Sequence, residues 1–129
     1  MKLLLDTQAF IGFIENDIQF PPKIKSELEK SDNILIISIA SLWEITIKIS
    51  LGKLVLTQDI KSTIDNIYEN GFEILPNAPE HIIKLSSLEY HHRVPFDKSN
   101  IAQAHEENIK IVSSNKVFDS FSVKKLWSK

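Results

Sequence analysis

The sequence predicts an α/β fold in which a mostly parallel central sheet is covered by helices on both faces. Three observations carry this reading. Short runs rich in Leu, Ile and Val recur at 2–6, 33–37, 72–75 and 109–113, as strands buried on both sides require. The longer segments between them space apolar residues three and four apart, the helical period. Strands and helices then alternate along most of the chain, which is the pattern of a parallel sheet.

Residues 2–6 read as a buried strand, an apolar triplet ending in Asp6. Thr7 can cap a helix that runs through Ala9, Phe10 and Phe13. Pro21-Pro22 opens a second helix with Ile24 and Leu28 on one face. Residues 33–37 form a second strand, followed by a helix over 38–51 that Gly52 closes. Another helix spans 59–70 and ends at Gly71, and 72–75 is a strand. Residues 79–90 are helical, and Asp97 starts a helix through Ile101, Ala102 and Ala104. Strands at 109–113 and 122–126 flank a short helical turn.

The length, 129 residues, points to one domain over 1–129. At this size about two-thirds of the unfolded surface can be buried, so a core forms without staples. There is no cysteine, so any metal must be held by oxygen or histidine nitrogen. No apolar run approaches the roughly 18 residues of a membrane span, and a cytoplasmic protein is expected. The net charge of −2 counts against a nucleic-acid partner unless the charges are segregated. A cluster of site carboxylates would lower the net charge and still leave a basic rim.

In a parallel sheet, ligands sit at the carboxyl ends of the strands. Asp6 ends the first strand there, either as a helix cap or as a site residue. Glu44 lies in a helix that reads as apolar on most of its surface and therefore largely buried. A buried carboxylate is costly unless it is paired or bound to a cation. Its alternative is an i,i+4 ion pair with Lys48. Asp97 is an N-cap, a ligand, or both. Three such acids meeting at one point would repel one another unless a hard cation such as Mg²⁺ or Mn²⁺ sat among them. An ion of that kind can activate water and neutralise charge on a phosphoryl group.

Three segments carry a family resemblance: Leu3-Leu4-Leu5-Asp6-Thr7, Ser41-Leu42-Trp43-Glu44-Ile45, and His92-Arg93-Val94-Pro95-Phe96-Asp97 leading into Ile101-Ala102-Gln103-Ala104. With Gly52-Lys53-Leu54 and Val123-Lys124-Lys125-Leu126-Trp127, they resemble the VapC-like branch of the PIN-domain family. The resemblance implies an α/β/α sandwich and Mg²⁺- or Mn²⁺-dependent cleavage of single-stranded RNA. It also implies a toxin neutralised by a small antitoxin, and a homodimer. Asp6, Glu44 and Asp97 match the family's acidic metal ligands, and Thr7 and Ser41 match hydroxyl residues near the site.

The sequence departs from the family pattern at several positions. Asn115 stands where a fourth acid is usual, Gln8 where His is common, and Val94 where an acid usually precedes Pro95-Phe96. Lys98-Ser99-Asn100 replaces the usual Arg and apolar pair. Asn115 would then give a neutral oxygen ligand or hold a metal water, or Asp119, four residues on, would supply the missing charge. The Asn115 change also opens a rival reading, a catalytically weakened PIN-fold module that binds RNA or a partner. A DNA-directed or structure-specific nuclease is a further one, since fold does not fix substrate.

Arg93, Lys98 and Lys116 are candidates for phosphate contacts, or ordinary solvated charges. His81, His91, His92 and His105 lack the spacing of a zinc site. Trp43 and Trp127 are expected in the core or an interface.

Overall fold

The computed structural model describes residues 1–88, 95–121 and 123–127. Leu3, Leu4 and Leu5 are all fully buried, but they serve different cores. Leu3 and Leu5 pack with Phe10, Ile37 and Val112, while Leu4 packs with Ile36, Ile101, Ile111 and Phe118. The alternation is the two-residue period of a strand with both faces covered. Burying each such leucine contributes about 1.5–3 kcal/mol.

This strand, β1 (Lys2–Leu5), is the centre of a five-stranded sheet. Its neighbours are β2 (Ile34–Ser38) and β4 (Lys110–Val112), with Leu5 opposite both Ile37 and Val112. β3 (Glu73–Leu75) pairs outside β2, and β5 (Lys125–Leu126) outside β4. Every pairing is parallel, in the order β3-β2-β1-β4-β5. The chain builds the sheet outward in one direction from β1, then returns to build on its other side. The reversal leaves a crevice between the carboxyl ends of β1 and β4, the position where open α/β sheets bind ligands.

On one face lie α1 (Thr7–Ile14), α2 (Pro22–Leu28) and α4 (Ile60–Glu69), which contribute Phe10, Ile24, Leu28 and Ile67 to the first core. On the other lies α6 (Pro95–Glu107), with α5 (Pro79–Ser87) packed against it. The result is the expected α/β/α sandwich. Buried His81 ties the two helices together. Its Nδ1 accepts from the Ala78 N–H at 2.9 Å and its Nε2 bonds Glu107 Oε2 at 2.9 Å. A 3-10 turn, Lys116–Ser120, joins β4 to β5. Gly52 and Gly71 follow the helices that end at Ser50 and Glu69, with φ of 72° and 76°, the left-handed C′ role the sequence predicts.

Three expectations need correction. The cap of α1 is Asp6, and Thr7 is the first helical residue. α6 begins at Pro95, which suits the first turn because it lacks an N–H. Asp97 therefore lies inside that turn, favourably placed on the helix dipole, and does not cap it. The third correction concerns α3 (Ile39–Ser50), whose apolar residues are only partly covered. Ser41 and Glu44 are buried with Ala40, Leu42 and Ile45, while Ile39, Ile49 and Trp43 (64% exposed) face outward. Trp43 is not a core residue; it meets Phe96 edge-on at 5.8 Å between ring centres. Trp127 does pack inward, edge-on to Phe20 at 5.5 Å. The predicted helix end at Tyr90 and strand start at Ser122 lie outside the described residues.

Candidate functional site

The apolar triplet of β1 sets where Asp6 goes. With Leu3–Leu5 locked in the two cores, the next residue emerges at the carboxyl edge of the sheet, 3% exposed. Its extended backbone lets Oδ1 accept the Ala9 N–H at 2.8 Å, so it caps α1. Its Oδ2 accepts a short hydrogen bond from the hydroxyl of Ser113, the residue that leaves β4. One side chain thus spans the crevice between β1 and β4.

Thr7 continues the network. Its hydroxyl donates to Glu44 Oε1 at 2.6 Å, joining the start of α1 to the middle of α3. Glu44 Oε2 pairs with Lys48 Nζ at 3.0 Å. The ion pair considered from sequence is therefore present, and it lies within the site. Ser41, one turn before Glu44, is fully buried, and among the described residues its Oγ has no hydrogen-bond partner. Asp97, half-buried in the first turn of α6, is also engaged with a partner.

The electrostatics register all three acids together. The Asp6 carboxyl is pushed from the ordinary 3.8 up to about 6. Burial is the largest cause; the bonds from Ser113 and Ala9 pull the other way, and the negative charges of Asp97 and Glu44 push further up. Among the described residues, no three His, Cys, Asp or Glu side chains are gathered into a ready-made metal cage. The acids are within electrostatic reach of one another but are not drawn into one coordination sphere. As donors they suit a hard divalent cation. The oxygens of Asp6 and Glu44 keep lone pairs beyond their present bonds, the Ser41 hydroxyl makes no hydrogen bond to a described residue, and the set is all oxygen.

The remaining predicted residues fall as follows. Asn115 donates its backbone N–H to Ser113 Oγ at 2.9 Å, but its side-chain oxygen caps the 3-10 turn through Val117 N–H at 3.0 Å. Asp119 pairs with Lys125 at 2.9 Å instead of turning to the acids. Lys98 is 6% exposed and engaged with a partner, so it is no open phosphate contact. Lys116 is exposed at the start of the 3-10 turn. Arg93, His91 and His92 lie outside the described residues. Of the other histidines, His81 serves the α5–α6 joint and the partly buried His105 has its pKa lowered by desolvation. Ser113 was missed from sequence. Its signal was its position, the first residue after an apolar strand on the sheet edge that already carried Asp6.

A cleft of about 950 Å³ lies elsewhere, between α1, α2 and α4. Phe10, Phe13, Ile67 and Phe72 form its apolar side, with Glu15 and Thr57 at its polar side. None of the three acids lines it.

Comparison with known proteins places this geometry. The PIN domain family model matches residues 3–124, and the chain belongs to that family. Solved structures share the fold. A chain of VapBC2 from Rickettsia felis, bound to a DNA fragment from its promoter, superposes with a TM-score of 0.76 at 20% identity, covering 99% of this chain and 100% of that one. A chain of DNA-bound VapBC from Salmonella typhimurium gives 0.73 at 16% identity, covering 98% and 97%. One of VapBC-1 from nontypeable Haemophilus influenzae gives 0.69 at 18% identity, covering 98% and 97%. No curated protein matches.

The strained charge of Asp6 yields a prediction. A pKa raised from 3.8 to about 6 means that the ionised form costs the folded state about 3 kcal/mol. In metal-free protein this cost is complete above about pH 6 and is relieved as the pH falls from there toward 3.8. Asn is also a good N-cap. Asp6→Asn should therefore raise stability in chelator at pH 7.5, by up to about 3 kcal/mol, and the gain should shrink toward pH 4.5. The same variant should lose any thermal stabilisation by Mn²⁺. Urea unfolding at the two pH values checks the first part and melting with and without Mn²⁺ the second. A variant less stable than wild type at pH 7.5 would show that the bonds from Ser113 and Ala9 outweigh the cost of burying the charge.

Proposed function

We propose that this chain is a metal-dependent endoribonuclease of the VapC toxin type, held in check by a cognate antitoxin. The observation that carries the reading is the buried Asp6 carboxylate, kept under the negative charge of Glu44 and Asp97 at the crevice of a PIN fold. Such an arrangement costs stability when metal-free, and it gains when a divalent cation binds. Asp6, Glu44 and Asp97 would hold Mg²⁺ or Mn²⁺. When bound, the ion supplies charge neutralisation at a phosphoryl group and activation of water.

The chain's own residues fix the geometry. Ser113 and the Ala9 N–H orient the two oxygens of Asp6, and Thr7 orients Glu44. Ser41 offers a hydroxyl one turn from Glu44. Lys116 and Arg93 are assigned to RNA phosphates, which position a strand without reading its sequence.

Two surfaces suit protein partners. The structural neighbours include toxin–antitoxin complexes, and the cleft between α1, α2 and α4 offers an antitoxin an apolar floor with polar edges. The outward apolar residues of α3, Ile39 and Trp43, together with Phe96, suit a homodimer contact. Among the described residues no helix is long and apolar enough to cross a membrane, in keeping with a cytoplasmic setting.

Asn115 favours the second reading, a PIN-fold module with weakened catalysis that binds RNA or a partner. Its amide is neutral and its oxygen is already spent on the 3-10 turn.

Purified protein with Mn²⁺ should cleave a single-stranded RNA and spare single-stranded DNA and flap substrates, and Glu44→Gln should lower the rate at least about 100-fold. Binding of RNA without cleavage would favour the second reading, and cleavage confined to DNA would transfer the activity to that substrate.

Asn115→Asp preserves the cap and adds a charge beside Ser113. It should raise Mn²⁺ affinity up to about tenfold, whereas Asp119→Asn should leave it unchanged. Calorimetric titration measures both, and equal affinities in all three proteins would remove position 115 from the site.

Light scattering at tens of micromolar should give a dimer mass, reduced to the monomer by Trp43→Asp. A monomeric wild type would overturn the α3 contact.

A further inference from the structure

We propose that Lys48 is a substrate-positioning residue whose ammonium pairs with Glu44 in metal-free protein and moves to an RNA phosphate when the site is loaded. The inference rests on the metal-nuclease reading above.

Ser41, Glu44 and Lys48 follow one another at i, i+3 and i+7, on one stripe of α3. The stripe is graded. Ser41 is fully buried, the Glu44 side chain is 10% exposed and the Lys48 side chain 32%. The stripe therefore leads from the floor of the site to its rim, and the charge at the rim is a cation that solvent can reach. Lys48 holds Glu44 Oε2 at 3.0 Å while Thr7 holds Oε1. Thr7 is the chain neighbour of Asp6, and the Glu44 charge acts on Asp6, so Lys48 sits on an acid of the site and not on a remote surface.

The charge balance explains why the pair must be transient. In metal-free protein the Lys48 ammonium sets a positive charge directly on Glu44. A divalent cation placed between Glu44 and Asp6 would repel the ammonium and compete for the same oxygen. Lysine carries a compact charge on a flexible four-carbon stem, so it can leave the carboxylate without disturbing α3. A phosphodiester drawn to the loaded site brings the negative charge that the displaced ammonium lacks. Other lysines are less suited. Lys98 is buried and engaged, Lys125 pairs with Asp119, and Lys116 has no contact with the three acids.

The two partners make opposite demands, and the test uses that opposition. Lys48→Met keeps most of the stem and removes the competitor for Glu44, so Mn²⁺ should bind about three- to tenfold more tightly in the absence of RNA. The same variant should raise KM for a single-stranded RNA about tenfold with a smaller change in kcat. It should also flatten the salt dependence of RNA affinity by about 0.7 in the log–log slope, one phosphate contact on a single strand. Lys48→Arg should restore KM in large part, and Lys48→Gln serves if the Met variant folds poorly. Weaker Mn²⁺ binding in both neutral variants would make Lys48 a buttress for Glu44 and overturn the proposal. A fall in kcat with KM and salt slope unchanged would overturn it as well. The wild type separates this from the broader reading: if it neither binds Mn²⁺ nor cleaves RNA, the nuclease assignment falls and the role of Lys48 falls with it.

Discussion

One hydrogen bond closes the architecture at its functional end: the Ser113 hydroxyl on the buried Asp6 carboxylate. It joins the carboxyl ends of β1 and β4, where the sheet changes its direction of growth. Without it the carboxylate would keep only the Ala9 N–H against the cost of burial. With it, Asp6 is held in one orientation while two further negative charges act on it. The cores of the sheet decide where Asp6 emerges, and this bond decides which way it faces.

The rest of the site is built by economy of position. Consecutive residues divide the labour: Asp6 reaches to β4 and caps α1, and Thr7 reaches to α3. α3 in turn mixes the two kinds of residue on its covered side, Ser41 and Glu44 beside Ala40, Leu42 and Ile45. It places polar groups inside, where the site needs them, and leaves Trp43 and Ile39 outside. A helix of that kind gains less from its own burial than an ordinary amphipathic one, so its hold on the domain rests on Leu42, Ile45 and the Thr7–Glu44 bond.

The sheet and its helices were legible in the sequence because their signals are local. Leu3-Leu4-Leu5 can only be a strand covered on both faces, and Gly52 and Gly71 mark helix ends by their backbone freedom. The burial of Asp6 and Glu44 was legible because both interrupt apolar segments. What stayed hidden depends on distances between elements. The i,i+4 spacing predicted the Lys48–Glu44 pair but not that it would reach the site through Thr7. The spacing of Asn115 behind β4 suggested a ligand, yet the tight turn that follows captures its oxygen, and Ser113 two residues earlier makes the contact with Asp6. The same limit applies to α3: composition gave its apolarity, but only the placement of neighbouring layers determines which side of it is covered.

The separation of Asp6 and Ser113 along the chain, 107 residues, has a consequence during synthesis. Asp6 and Thr7 leave the ribosome early, and α3 follows, but the hydroxyl that orients Asp6 comes after β4. At about 5–20 residues per second, several seconds pass between the two. Throughout that interval the first acid exists without its orienting partner. A chain cut short before β4 cannot hold Asp6 in this geometry at all. The fold thereby leaves the orientation of Asp6 unset until nearly all of the sheet is in place.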